Sequence, residues 1–244
     1  APYFVQDDKR PTNLAWMFAA YVDEDHPQVR RIVSEALKNG AVKRFDGYQS
    51  RDSKQVMKQV YAVWRALRSR GIRYSSITRT GNGKSEVLSQ HVRFIDESFG
   101  NAEANCVDGT VLLAAVLRKI DLNPALVMVP GHMFLAFELS PGGERSYLET
   151  TLIGDGLPAK GKESDDAAFA NFRRASERGH ALFQKSRANF SDRSKPEYQI
   201  IDIGAAREGC RDRSGAEIGV GAGKRRGHGG PGEHFRRAAE FGDA

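Results

Sequence analysis

Cysteine is scarce in this chain, which has two, Cys106 and Cys210, among 244 residues. A disulfide framework in a secreted protein shows more cysteines at closer spacing, so we expect both thiols to be unpaired. Neither cysteine lies in a pattern of zinc ligands. The sequence therefore predicts no disulfide scaffold, and we expect neither a metal nor another cofactor.

Long apolar runs are also lacking, and none approaches the length of a membrane-spanning helix. We therefore expect no membrane span. Hydrophobic residues make up 40% of the chain and charged residues 28%, which is ordinary for a globular domain. No secretory signal is visible at the N-terminus, which favours the cytoplasm. Because the chain begins with Ala1 rather than Met, we also expect an upstream segment to have been removed or to be missing.

The net charge of +6 is not gathered into a basic motif. The positive residues are scattered, part of the excess lies after residue 204, and no basic motif with interleaved aromatic residues occurs. The sequence therefore argues against a nucleic-acid partner. Binding through the basic C-terminal residues is the alternative, and it predicts an affinity that collapses with salt and disappears without residues 205–244.

Apolar periodicity and composition divide the chain into three segments. Residues 1–50 carry a helical pattern and either belong to the core or are the remnant of an upstream domain. Residues 51–204 form the main domain. From residue 205 onward Gly and Arg dominate, so this tail lacks the apolar surface needed to offset its ordering entropy, and we predict disorder.

Within these segments the pattern predicts four helices and a series of strands. The helices lie near residues 29–38, 53–70, 106–120 and 165–188, with Ser53 as the N-cap of the second. Strands are predicted near residues 72–77, 125–129, 132–139, 146–151 and 197–203. Residues 14–22 form either a buried strand or a short helix, since periodicity alone does not decide between them.

Three residue types that form cysteine nucleophile systems occur in order between residues 105 and 151. Cys106 opens an apolar helix, where unsatisfied N–H groups and the helix dipole favour the thiolate. His132 and Glu149 fall in two successive predicted strands. Each also has an ordinary explanation: a small buried thiol, a hydrogen-bonded structural histidine and an exposed strand carboxylate.

Three motifs carry a resemblance to a known family. The run Asn-Cys-Val-Asp-Gly-Thr-Val-Leu-Leu-Ala-Ala-Val-Leu-Arg, the later Val-Pro-Gly-His-Met-Phe-Leu and the final Tyr-Leu-Glu-Thr-Thr resemble bacterial transglutaminase-like cysteine proteins over roughly residues 55–155. The resemblance implies an α+β fold with a papain-like core, in which a central nucleophile-bearing helix packs on an antiparallel sheet. It implies that Cys106 is the nucleophile, His132 the general acid and base, and Glu149 the acidic orienter, where many members carry Asp.

The resemblance extends upstream to Gln90, which would donate its amide to the oxyanion together with the Cys106 N–H. Asn101 and Asn105 are competing donors for that role. Asp108 also matches the family pattern, but an acid in the first turn of a helix complements the helix dipole, so we assign it a structural role.

These observations predict a cysteine-dependent acyl-transfer enzyme acting on a protein or peptide substrate. The expected reaction is hydrolysis of an amide or peptide bond through a thioester, with transfer to an amine as the second choice. The alternative is a non-catalytic module of the same fold that serves binding or scaffolding.

Overall fold

The computed structural model describes residues 2–5, 12–74, 87–89, 92, 95, 103–159, 161–192 and 194–208. The longer helices among them are α1 (Pro27–Lys38), α2 (Ser53–Ser69), α3 (Cys106–Lys119) and α4 (Asp165–Ser186). Short 3-10 helices occupy Ala15–Tyr21, Thr150–Gly154 and Arg187–Asn189, and residues 203–208 are helical. The strands are β1 (Pro2–Val5), β2 (Thr12–Asn13), β3 (Arg73–Tyr74), β4 (Val87–Ser89), β5 (Glu103–Ala104), β6 (Pro124–Val129), β7 (His132–Glu138), β8 (Arg145–Leu148) and β9 (Gln199–Asp202).

The central sheet has four antiparallel strands in the order β8-β7-β6-β9. Alternate residues of its strands point to two separate hydrophobic clusters, one shared with α3 and the other with the C-terminal half of α4. Leu135 and Phe137 belong to the first cluster, and Phe134 and Ala136 to the second. Because both faces are covered, β6 and β7 read in the sequence as continuous apolar runs rather than as alternating ones.

Helix α3 is buried around its whole circumference from Val107 to Leu117. A helix that is apolar on all sides belongs in the interior of a domain, and α3 lies between the sheet and the helices α1 and α2. Ile32 of α1 and Trp64 of α2 are fully buried in the same core as α3. The helical pattern of the first 50 residues thus lies in the main core.

Several predicted elements differ from the structure at their ends. The predicted strand 146–151 was wrong in its last residues: β8 ends at Leu148, and Glu149 is the N-cap of the 3-10 helix that follows. The N-cap of α2 is Asp52 rather than Ser53, because the Asp52 carboxylate accepts the hydrogen bond from the Lys54 backbone N–H. Residues 14–22 adopt the short-helix alternative.

The fold class is α+β, a mixture of helices and mainly antiparallel sheet. One parallel pair, β3 with β5, lies beside the N-terminus of α3. None of the described helices combines the length and the apolar character that crossing a membrane requires. Regular structure extends past residue 204, because residues 203–208 are helical, and the rest of the predicted tail lies outside the described residues. Residues 75–77 of the strand predicted near residues 72–77 also lie outside them.

Candidate active site

Cys106 is the first residue of α3, and a capping box holds the turn that contains it. The Asn105 Oδ1 atom accepts hydrogen bonds from the backbone N–H groups of Val107 (2.8 Å) and Asp108 (2.9 Å). In return, the Asp108 carboxylate accepts a 3.2 Å bond from the Asn105 N–H. The structural role predicted for Asp108 is therefore confirmed. The caps leave the partly exposed Cys106 at a fixed helix N-terminus.

Two threonine hydroxyls fasten this turn to the rest of the site. The Thr110 hydroxyl donates a 2.6 Å bond to the Cys106 carbonyl and lies 2.8 Å from the Thr150 hydroxyl. It also lies 3.4 Å from the Met133 carbonyl of β7. Helix α3 is therefore tied both to the strand that carries His132 and to the segment that follows Glu149. Sequence reasoning missed this pair, since neither threonine stands out from its local pattern.

His132 and Glu149 form a short polar contact, with 2.6 Å between His132 Nε2 and Glu149 Oε2. The second oxygen of Glu149 accepts bonds from the Thr151 N–H (3.0 Å) and the Thr151 hydroxyl (2.7 Å). The Glu149 backbone N–H donates to the Ala175 carbonyl on α4 at 3.0 Å. Both carboxylate oxygens of Glu149 are thus hydrogen-bonded. Only 5% of the side chain is exposed, so the carboxylate is shielded from solvent.

The electrostatics of the site favour a charged imidazolium. Burial by itself lowers the pKa of His132, but hydrogen bonds with Cys106 and Glu149 and the negative charges of both outweigh it and raise the pKa from 6.5 to about 9. Burial raises the pKa of Glu149, yet the bond and charge of His132 and the bonds from Thr151 bring it below its ordinary value. Because Nε2 of His132 is bonded to Glu149, Nδ1 is the ring nitrogen left for a second partner.

No model of a known protein family, no curated protein and no solved structure matches this chain. The resemblance to transglutaminase-like proteins therefore stays a prediction. We therefore infer function from the geometry of Cys106, His132 and Glu149.

Tyr74 is a site residue that sequence reasoning did not single out. It ends β3, and the parallel pairing with β5 places it opposite Ala104, two residues before Cys106. Burial raises the pKa of Tyr74, and the nearby charges of Cys106 and Glu149 raise it further. With 47% of the residue exposed, Tyr74 lies at the rim of the site. Local sequence could not have identified Tyr74, because only the pairing of two short strands brings it to the site.

The structure brings the three predicted catalytic residues together. Of the predicted oxyanion donors, it describes only Asn105. Asn105 is buried and uses its Oδ1 as the cap of α3. Gln90 and Asn101 lie outside the described residues. Among the residues that are described, no group of three or more His, Cys, Asp and Glu side chains could hold a metal ion.

Proposed function

We propose that this protein is a cysteine-dependent acyl-transfer enzyme of transglutaminase-like type that hydrolyses an amide or peptide bond. The observation that carries the proposal is the His132–Glu149 bond of 2.6 Å, with Cys106 near enough to the same imidazole to help raise its pKa. The imidazole then lies between a thiol and a carboxylate that both interact with it. That order of groups is the one nucleophilic catalysis by a thiolate needs.

In the first half-reaction, the Cys106 thiolate attacks the carbonyl carbon and a C–S bond forms. The carbonyl π electrons move onto the oxygen. When this tetrahedral anion collapses, the C–N bond breaks and His132 gives its proton to the leaving amine. The products are a thioester on Cys106, a free amine and a neutral imidazole.

In the second half-reaction, the neutral His132 takes a proton from water, and the hydroxide oxygen attacks the thioester carbon. The new C–O bond forms, the C–S bond breaks, and the thiolate returns beside an imidazolium. An amine in place of water would give transfer instead. Glu149 orients the imidazole and stabilises its charged form throughout.

The tetrahedral anion needs hydrogen-bond donors, and the Cys106 backbone N–H is our first candidate. As the first residue of α3, Cys106 has an N–H group without an acceptor inside the helix. The side-chain amide N–H of Asn105 is a candidate second donor, while its Oδ1 atom accepts the capping bonds of α3. Gln90 remains a predicted donor.

The reactivity of Cys106 tests this proposal without knowledge of the substrate. We expect iodoacetamide at about pH 5.5 to alkylate Cys106 in a folded Cys210→Ser protein about tenfold faster than in the same protein unfolded in urea. His132→Gln should remove most of this difference. Mass spectrometry of the intact protein gives both rates.

Equal rates in the folded and unfolded protein would contradict the proposal and favour the non-catalytic binding module. Once a substrate is known, Cys106→Ala should abolish turnover. Circular dichroism of that variant should match the parent protein, because the thiol contributes little to the core.

A further inference from the structure

A cavity of about 810 Å³ adjoins the catalytic pair. His132 and Glu149 form part of its wall, and the turn at Val129 and Pro130 forms another part. Residues of helix α4 also line it. The volume lies within the range of ligand-binding cavities, and the space opens directly onto the imidazole that would protonate a leaving group.

The wall that α4 contributes carries mostly basic side chains. Arg174, Arg178, Leu182 and Lys185 line the cavity and follow one another at intervals of three or four residues. Residues at this spacing share one face of a helix. The three cationic side chains of that face are therefore directed along the same cavity, with one apolar residue between them.

The acidic residues in the wall neutralise only one of these three cations. Glu149 is bonded to His132 and Thr151, and Asp155 forms an ion pair with Arg174. Arg178 and Lys185 have no ion-pair partner among the residues that the structure describes. The cavity beside the catalytic imidazole therefore has an excess of positive charge.

We propose that this cavity binds a carboxylate-bearing segment of the substrate, so that the enzyme prefers peptides with an acidic residue near the bond it attacks. This inference rests on the proposed function. Arg178 and Lys185 supply charge-assisted donors to the carboxylate. Leu182 and Tyr198 line the same cavity and pack against the aliphatic part of that residue.

A matched pair of alkylating probes tests the cavity. Iodoacetyl-Gly-Glu-amide and iodoacetyl-Gly-Gln-amide have nearly the same shape and differ in one negative charge. Their rates with Cys106 are measured in the Cys210→Ser protein, and the Glu-to-Gln rate ratio is compared with that for N-acetylcysteine. We expect the protein ratio to exceed the reference about two- to fivefold, the size of one partly exposed ion pair, and to decline with salt.

Charge variants locate the effect. Arg178→Gln with Lys185→Gln should bring the ratio close to the N-acetylcysteine value, and Arg178→Lys with Lys185→Arg should restore it. The control is the double variant Lys58→Gln with Arg173→Gln, which also removes one lysine and one arginine charge, but from the groove between α2 and the other face of α4. This variant should leave the ratio high. An equal fall in both double Gln variants, or a protein ratio no higher than the reference, would overturn the proposal.

The same data separate this inference from the proposed function. Slow labelling by iodoacetamide at mildly acidic pH contradicts the catalytic role of Cys106, but the probe ratio is still measurable at alkaline pH, where any accessible thiol reacts. Fast labelling with no charge preference leaves the catalytic proposal standing and removes the acidic-substrate preference.

Discussion

Replacing Glu149 with Gln removes the charge beside His132 and keeps the size of the side chain. In the native protein the two side chains meet at 2.6 Å, and Glu149 is nearly buried. The Gln amide retains an oxygen that accepts from Thr151 or from the imidazole. The change therefore isolates the contribution of the negative charge, and we expect it to lower the pKa of His132.

The size of the effect follows from the geometry. A hydrogen bond to a charged group contributes about 1.5–3 kcal/mol, and one pH unit corresponds to about 1.4 kcal/mol. Starting from a value of about 9, the pKa of His132 should thus fall by roughly one to two pH units. Cys106 still favours the charged ring, so the pKa should remain above that of a histidine without either partner.

The assay is a pH titration of the imidazole by NMR of ¹⁵N-histidine-labelled protein, with His132→Gln to assign the signal. Glu138→Gln is the matched control. Glu138 is a similarly buried glutamate at the far end of β7, bonded to Asn123 and Gly142. An unchanged pKa of His132 in Glu149→Gln, or an equal fall of that pKa in Glu138→Gln, would show that the Glu149 charge does not raise it.

Two further predictions concern stability. The pKa of His132 is raised from 6.5 and that of Glu149 is lowered from 4.5, so the stabilisation by the pair is complete between pH 4.5 and 6.5 and is lost as the pH rises towards 9. Urea unfolding measures the difference in free energy of unfolding between the native protein and Glu149→Gln. This difference should shrink by about 1–3 kcal/mol over that rise in pH, and a constant difference would contradict the prediction. Gly179→Ala should destabilise the fold by about 1–3 kcal/mol, because the new Cβ would lie 2.7 Å from the Leu148 nitrogen. Gly109→Ala, whose Cβ meets nothing nearer than 3.7 Å, should be neutral or stabilising by up to about 1 kcal/mol, and equal melting temperatures of the two variants would refute the difference.

Local patterns were enough to predict the elements that carry the site. The apolar helix beginning at Cys106 and the strand beginning at His132 are both confirmed. Both elements were predictable because α3 is buried on all sides and β7 on both faces. Most of their residues are therefore apolar, and each apolar run marks the extent of its element. The position of Glu149 was predicted less well. Its carboxylate captures the Thr151 N–H and ends the strand, which alternation of apolar residues does not reveal.

The contacts that could not be predicted join residues far apart in the sequence. Thr110 and Thr150 are 40 residues apart, and only the packing of α3 against the segment after β8 brings their hydroxyls together. The basic residues of α4 read in the sequence as a solvated helix face. The role in substrate binding that we propose for Arg178 and Lys185 depends on the fold, which lays that face along the cavity beside His132.

In the proposed reaction Cys106 accepts an acyl group with the help of His132, and trapping the thioester is the decisive test. The Cys210→Ser protein is mixed with p-nitrophenyl acetate, an activated acyl donor, and quenched in acid for intact mass and peptide mapping. We predict the addition of one acetyl group on Cys106, absent from Cys106→Ala and discharged more slowly in His132→Gln. If no adduct forms, or if it forms no faster than on the urea-unfolded protein, acyl transfer to an activated Cys106 is contradicted.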